Sequence, residues 1–229
     1  MNDDKLDQLY TDLVLVGDQS RPGLTLQLVT SLNGAATGPD GRSGSLGGEA
    51  DTVSMRRVRD AADVIVAGGT TVRHENYGPV RTDPERAQHR LAKGLSAVPR
   101  LAVLTNSGVD TARLRGDGAP PILLTSNGDL RDDPNAEVVL LDEPVRPADV
   151  LASLAGLGLG RILCEGGPTL ARWFLEAGVV DELFLTIAPS IVGGQRRLLS
   201  DPLPELDLEL LSAVRHDNDV LVRYRIPRS

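Results

Sequence analysis

Hydrophobic and polar positions along this chain switch repeatedly between a period of two and a period near 3.6. Residues 24–31 (LTLQLVTS) alternate as a strand does, then meet Asn33-Gly34 and a loop carrying Gly38, Pro39, Gly41, Gly44, Gly47 and Gly48. A glycine-rich loop of that length inside a compact domain marks either disorder or function. From 48 to 60 the pattern turns helical, with Val53 and Val58 apolar and Arg56, Arg57 and Arg59 clustered near the end. Residues 64–67 form a short buried strand that stops at Gly68-Gly69-Thr70-Thr71, and the polar, proline-containing stretch 77–97 is assigned no element. Three short apolar runs follow, Arg100–Leu104, 122–124 and 137–141, separated by Gly, Pro, Asp and Asn, and they predict successive parallel strands. Pro147 in a first turn, with Val150, Leu151, Leu154 and Leu157 at helical spacing, predicts a helix ended by Gly156, Gly158 and Gly160. Arg161–Cys164 is another buried strand and runs into Glu165-Gly166-Gly167-Pro168-Thr169. Leu170, Trp173, Phe174 and Ala177 then fall at i, i+3, i+4 and i+7, with Gly178 as the stop; this is the best-defined helix, and Trp173 and Phe174 belong to its core face. Glu182–Ala188, 206–214 and 220–226 close the chain as strands, the last two as an antiparallel hairpin across 215–219. The stretch 1–21 lacks sustained periodicity and reads as a peripheral arm, leaving 22–229 as one domain. Strands alternating with helices, without a repeat or linker, predict a single α/β domain with a mixed, mostly parallel sheet covered on both faces.

Composition narrows the function classes. Hydrophobic residues make up 41% of the 229, yet only six are aromatic, so the core is aliphatic and an aromatic platform for nucleic acid is disfavoured. A net charge of −8 argues against a general phosphate-backbone binder, so any bound phosphate needs a local site. The single cysteine, Cys164, forms no internal disulfide and sits in a buried strand as a small hydrophobe, which fits a reducing, cytoplasmic setting. No long apolar run or basic leader pattern occurs, so neither a membrane span nor export is expected. His74, His89 and His216 have no mutual spacing that suggests a metal and read as surface residues.

The junction 162–170 carries the clearest chemistry. A strand delivers Glu165, two glycines let a second backbone approach, and a helix starts at Pro168. Its free N–H groups and dipole then face the carboxyl edge of the sheet, where an anion such as a pyrophosphate fits. A tight turn that merely needs glycines is the alternative. The strand ending in Gly68-Gly69-Thr70-Thr71 is a second junction of this kind, and two of them imply a ligand crevice along one sheet edge. Neither matches GxGxxG, which disfavours a regular dinucleotide-binding Rossmann fold.

Ser31-Leu32-Asn33-Gly34, the run from Arg56 to Asp63 (RRVRDAAD), the run from Gly68 to Glu75 (GGTTVRHE), Glu165-Gly166-Gly167-Pro168-Thr169, Ala188-Pro189 and Val192-Gly193-Gly194 together resemble the reductase domain of the riboflavin-biosynthesis bifunctional deaminase-reductase. The resemblance covers roughly residues 22–226, and the deaminase signature, His-x-Glu with Pro-Cys-x-x-Cys, is absent. It implies a dihydrofolate-reductase-like fold, a homodimer, and reduction by NADPH of a phosphoribosylamino-pyrimidine to its ribityl form. By the same resemblance Thr71 and Glu75 meet the cofactor, and Gly166, Gly167, Pro168, Thr169 and Leu170 form its pyrophosphate loop. Glu165 stands where substrate and nicotinamide meet, and Ser43 and Arg59 hold the substrate, with Arg81 a further candidate for its phosphate. Thr105 and Asn106 either touch the cofactor's 2′-phosphate or form a turn. The family usually has an aspartate where this chain has Asn33 and a Lys or Arg where it has Ala35. An amide is a poor proton donor, so Glu165 or Asp51 is expected to supply the proton through water, with Asn33 orienting the ring. These departures keep two alternatives open: a dihydrofolate or pterin reductase-like activity, and a nucleotide-binding protein without turnover. The scarcity of aromatics further implies that the rings are held by glycine-lined backbone and aliphatic side chains rather than by stacking.

Overall fold

The computed structural model describes Tyr10 and residues 13–193, 196–199 and 203–227. In chain order the elements are β1 (Gly23–Ser31), α1 (Glu49–Asp60), β2 (Val64–Gly68), α2 (Gly69–His74), α3 (Pro84–Ala92), β3 (Arg100–Leu104), α4 (Thr111–Leu114), β4 (Ile122–Thr125) and β5 (Glu137–Leu140). They continue with α5 (Pro147–Gly156), β6 (Arg161–Cys164), α6 (Pro168–Glu176), β7 (Glu182–Ala188), β8 (Glu209–His216) and β9 (Asp219–Arg225). The strands form one sheet in the order β5-β4-β3-β2-β6-β1-β7-β9-β8. Pairing is parallel from β5 through β7, and only β7 with β9 and β9 with β8 run antiparallel.

The aliphatic strands bury both faces, as a parallel sheet clothed in helices requires. Along β2, Val64 and Val66 point into a core shared with Val150, Leu154 and Phe174 of α5 and α6. Ile65 and Ala67 point into the opposite core with Val58 and Ala61 at the end of α1. β1 lies centrally between β6 and β7, and its outgoing end is brought next to those of β2 and β6.

Four local expectations change. The stretch 77–97 holds α3, whose Asp83 cap accepts from the Arg86 N–H and whose Pro84 opens the first turn; Leu91 is its one large apolar side chain, and it left no periodic pattern. Arg90 of this helix is completely buried and donates to the carbonyls of Arg59, Asp60, Ala62 and Ser96, so a guanidinium caps the carboxyl end of α1; burial lowers its pKa to about 10. The arm is not peripheral where it is described, because Tyr10, Leu13 and Leu15 are buried in the second core. Finally, β8 starts at Glu209 rather than Leu206 and the hairpin turns across only Asp217 and Asn218, with Asp217 at φ 51°, which buries His216 instead of leaving it on the surface. Gly194 of the Val192-Gly193-Gly194 motif, and most of residues 1–12, lie outside the described residues.

Candidate active site

The strand ends of β1, β2 and β6 open into a cavity of about 890 Å³. Two glycine junctions make its floor. β2 ends in Gly68, whose N–H donates to the Gly166 carbonyl at 3.3 Å, and β6 ends at Cys164, followed by Glu165, by Gly166 at φ 82° and by a cis Gly166-Gly167 peptide. The Gly167 N–H donates to Thr71 Oγ1 at 2.9 Å. A Cβ on Gly167 would stand 2.8 Å from that oxygen, so glycine is what permits the approach. α6 then begins at Pro168, and its internal bonding starts with the Ala171 N–H donating to the Gly167 carbonyl. The Thr169 and Leu170 N–H groups therefore have no partner within the helix, and both residues line the cavity.

Glu165 is nearly closed off from solvent and carries three hydrogen bonds. Arg59 donates from Nε and Nη2 at 2.5 and 2.6 Å in a fork, and the Tyr77 hydroxyl donates to Oε2 at 2.8 Å. Burial works against the Arg59 charge, but the adjacent Glu165 carboxylate outweighs it and raises the Arg59 pKa. Burial also pushes the Tyr77 hydroxyl well above its ordinary value, with Glu165 adding to it, so Tyr77 remains a donor. Asp51, on the first turn of α1, faces the same cavity. Burial raises its pKa, a hydrogen bond from Thr186 of β7 opposes the shift, and the negative charges of Asp219 and Glu165 add to it. One carboxylate is thus fixed as an acceptor, and the other has its pKa raised by burial.

Of the residues singled out in the sequence, Ser43, Asp51, Thr71, Glu75, Glu165, Gly167, Pro168, Thr169 and Leu170 line this cavity together. The Ser43 N–H donates to Glu75 Oε1 at 2.9 Å, which ties the glycine-rich loop to the end of α2. Others lie elsewhere. Asn33 is exposed and pins two loops to each other, its Oδ1 accepting from Ser31 Oγ and the Val192 N–H and its Nδ2 donating to the Val192 carbonyl. It is not among the residues lining the cavity. Arg59 spends its fork on Glu165 rather than facing a phosphate, and Arg81 is exposed away from the cavity. Thr105 packs against Gly69, and Asn106 bonds to Thr125, Ser126 and Asn127; neither is among the residues lining the cavity. Gly166 serves the turn from behind, with its N–H on Cys164 Sγ. Cys164 is fully buried, and burial pushes its thiol up to about 12.

Sequence reasoning missed Gln27, Tyr77, Trp173 and Arg196, all of which line the cavity. Trp173 is half-buried at the cavity wall while Phe174 beside it is the core residue, so two of the six aromatics border the site despite the expectation of a ring-free wall. The helical spacing of Trp173 could not show which side of the core face stays open. Arg196 is the only Lys or Arg among the described lining residues, and it lies on the segment whose Arg197 bridges to Ala35.

An open, mostly parallel sheet with a glycine cradle, a free helix N-terminus and a fixed carboxylate at its carboxyl edge is a dihydrofolate-reductase-like fold with a ligand crevice at its strand ends. Residues 22–222 match the model of the RibD C-terminal domain, and the chain belongs to that family, the pyrimidine reductases of riboflavin biosynthesis. It is 30% identical over 226 residues to the 2,5-diamino-6-ribosylamino-4(3H)-pyrimidinone 5′-phosphate reductase of Methanothermobacter thermautotrophicus, covering 90% of this chain and 99% of the relative. The crystal structure of a pyrimidine reductase-like protein from Corynebacterium diphtheriae superposes with a TM-score of 0.82 at 28% identity, covering 98% of this chain and 99% of that one. Dihydrofolate reductase from Enterococcus faecalis, complexed with NADP(H), shares the fold with a TM-score of 0.50 at 15% identity over 92% of this chain and 99% of that one.

Proposed function

We propose that this protein reduces a phosphorylated ribosylamino-pyrimidine to the ribitylamino compound with NADPH. The observation that carries the proposal is the meeting, in one cavity, of an anion cradle (Gly167, Thr169 and Leu170 beside Thr71) and a carboxylate held by Arg59 and Tyr77. The substrate class is that named for the archaeal relative.

The residues fit a dinucleotide. The close approach at Gly167 and the unbonded N–H groups of α6 suit a pyrophosphate, and Thr71 and Glu75 border the same end of the cavity. When bound, the dihydronicotinamide supplies a hydride. The chain's own residues have three tasks. Glu165, locked by two donors, orients the substrate as a rigid acceptor at the strand end. Ser43 and Arg196 border the cavity and hold the phosphate, while Arg59 contributes by fixing Glu165. Hydride addition at C1′ of the opened sugar requires one proton on the attached nitrogen, and Asp51 holds that proton on its carboxyl group. A cytoplasmic homodimer belongs to the same proposal; Leu210 and Val220, exposed on the outer hairpin, support the dimer, and sedimentation equilibrium tests that part of it.

The deciding experiment follows nicotinamide absorbance with the diaminopyrimidinone ribosylamine phosphate, its uracil counterpart and dihydrofolate offered in parallel. Oxidation with a pyrimidine supports the proposal. Oxidation with dihydrofolate alone, or cofactor binding without turnover, overturns it.

A further inference from the structure

Asp51 stands in the first turn of α1, and a second buried acid, Asp219, reaches the same turn from the antiparallel end of the sheet. Asp219 opens β9, whose register sets Leu221 opposite Thr186 of β7. Side chains two positions apart share a face of a strand, so Asp219 lies on the face that carries Thr186, the residue whose side chain bonds Asp51. Two consecutive glycines locate both carboxylates. A Cβ on Gly47 would collide with Asp51 Oδ2, and one on Gly48, the N-cap of α1, would stand 2.7 Å from Asp219 Oδ2. The two acids therefore flank one short piece of backbone, and glycine at both positions leaves them room. Asp219 is 8% exposed and pairs across the hairpin with His216, which is also buried.

The groups around Asp51 differ in how their charges are answered. Glu165 spends its charge on the Arg59 fork and the Tyr77 hydroxyl. Tyr10, from the amino-terminal arm, stays a neutral phenol, because burial pushes its hydroxyl up to about 12. Arg223 of β9 is taken up by Glu182 at 2.7 Å. Along the cavity wall stand His74, Arg196 and Glu75, whose carboxylate accepts the Ser43 N–H. For Asp219, burial raises the pKa, His216 favours the anion and Asp217 in the turn opposes it. The guanidinium groups nearest this region are thus engaged with Glu165 and Glu182, not with Asp219. We propose that Asp219 is a positioning residue for the reduction, its carboxylate, set beside Asp51 across Gly47-Gly48, favouring the proton on Asp51 that the reaction consumes. This rests on the reading above in which Asp51 supplies that proton, and deepens it by naming the group that governs the supply. When two carboxyl groups share a site of reduced dielectric, ionisation of one opposes ionisation of the other. An acid beside a helix N-cap could otherwise serve only to stabilise the helix. The two roles separate, because a helix-stabilising contact changes the melting temperature, whereas a charge acting on Asp51 displaces the pH at which the rate falls.

The test compares wild type, Asp219→Asn and Asp219→Glu in the full chain. Asp219→Asn keeps the size of the side chain and removes its charge, and Asp219→Glu keeps the charge. Carbon-13 NMR follows the Asp51 carboxyl through its titration without cofactor or substrate, the signal being identified by its loss in Asp51→Asn. In Asp219→Asn the Asp51 midpoint is expected to move to lower pH, and in Asp219→Glu to stay near that of wild type. With the diaminopyrimidinone substrate, Asp219→Asn should match the wild-type kcat on the acid plateau. Where the wild-type rate is already declining with pH, it should fall about threefold to tenfold below wild type, with KM and NADPH affinity unchanged. Should Asp219→Asn fail to fold, Asp219→Ser removes the same charge and carries the same expectation. An Asp51 midpoint that stays in place or rises, or a loss of kcat that is equal at every pH, overturns the inference while leaving the pyrimidine reading intact. A midpoint that moves in a protein that reduces neither pyrimidine removes that reading, and with it the use assigned to the proton.

Discussion

Replacing both members of the Arg59–Glu165 pair should cost far less stability than the two single replacements imply. The pair is bidentate at 2.5 and 2.6 Å, with 4% of the Glu165 side chain and 23% of the Arg59 side chain exposed. In Glu165→Leu the guanidinium loses its partner and in Arg59→Met the carboxylate does; breaking a buried pair from one side costs about 3–5 kcal/mol, and the partial exposure of Arg59 favours the low end, about 3 for each. In the double variant no charge is stranded. What remains is the Tyr77 hydroxyl, which donated to Glu165 at 2.8 Å and is left unpaired at a cost of about 1–3 kcal/mol. Two losses near 3 that combine to about 3 give a coupling energy of about 3 kcal/mol, well above the ~0.5 kcal/mol scatter of independent sites. Urea unfolding of the four proteins measures it, and each single variant should melt about 6–12 °C lower. Reductase activity is expected to be absent from Glu165→Leu and from the double variant, because an apolar residue at position 165 orients nothing. Losses that add, within about 0.5 kcal/mol, would refute the claim that the pair is one coupled unit.

Asp51→Asn should lower turnover by about 10²- to 10⁴-fold with little change in cofactor affinity, and the fall in rate as pH rises through the Asp51 pKa should disappear with it. The same substitution should stabilise the fold: an acid whose folded pKa is raised binds more protons folded than unfolded, so its burden grows as pH rises above the ordinary value of 3.8, and the gain in Tm should be largest near neutrality and vanish below that value. Gly167→Ala places a methyl 2.8 Å from Thr71 Oγ1 and should weaken NADPH binding about 10- to 100-fold in a fluorescence titration while the melting temperature changes little. Native Cys164, fully buried with its thiol pushed up to about 12, should resist alkylation at neutral pH and react at the rate of unfolding; fast labelling of the native protein would contradict its placement.

How much of this was legible in the sequence depended on whether the signal was local. The strands of the central sheet and the helix opened by Pro168 were legible because burial on both faces leaves continuous aliphatic runs and because caps act within a few residues. α3 escaped because its interior contact is made by an arginine, and Arg90 buried against the carbonyls of α1 has no hydrophobic signature. The cavity-lining carboxylates were legible as residues flanking glycine junctions, but their roles were not. That Arg59 clamps Glu165, 106 positions away, and that Asn33 secures Val192, 159 positions away, are consequences of sheet order, which no spacing rule reaches. Tyr10 is the extreme case. An isolated aromatic in a stretch without periodicity carries no sign that it will stack on Phe184 and hold Ser54.

The net charge of −8 bears on the proposed use of a polyanionic cofactor only through where the acidic groups are spent. Three of them line the cavity, Asp51, Glu75 and Glu165, against one arginine among the described lining residues, Arg196. Each acid is locally answered. Glu165 is neutralised by a guanidinium in contact with it, Glu75 accepts the Ser43 N–H, and burial raises the pKa of Asp51. Near Gly167 the unanswered partial charges are then the positive ones of the α6 first turn, set in a cavity where water screens them less than at the surface. The global charge acts at long range and is damped within about 8 Å at physiological salt, whereas the oriented N–H groups act at contact. An acidic protein can therefore present an anion site without a basic patch, provided that its carboxylates are engaged before the ligand arrives, and the contacts that Arg59 makes with Glu165 and Ser43 with Glu75 are the ones that bring this about.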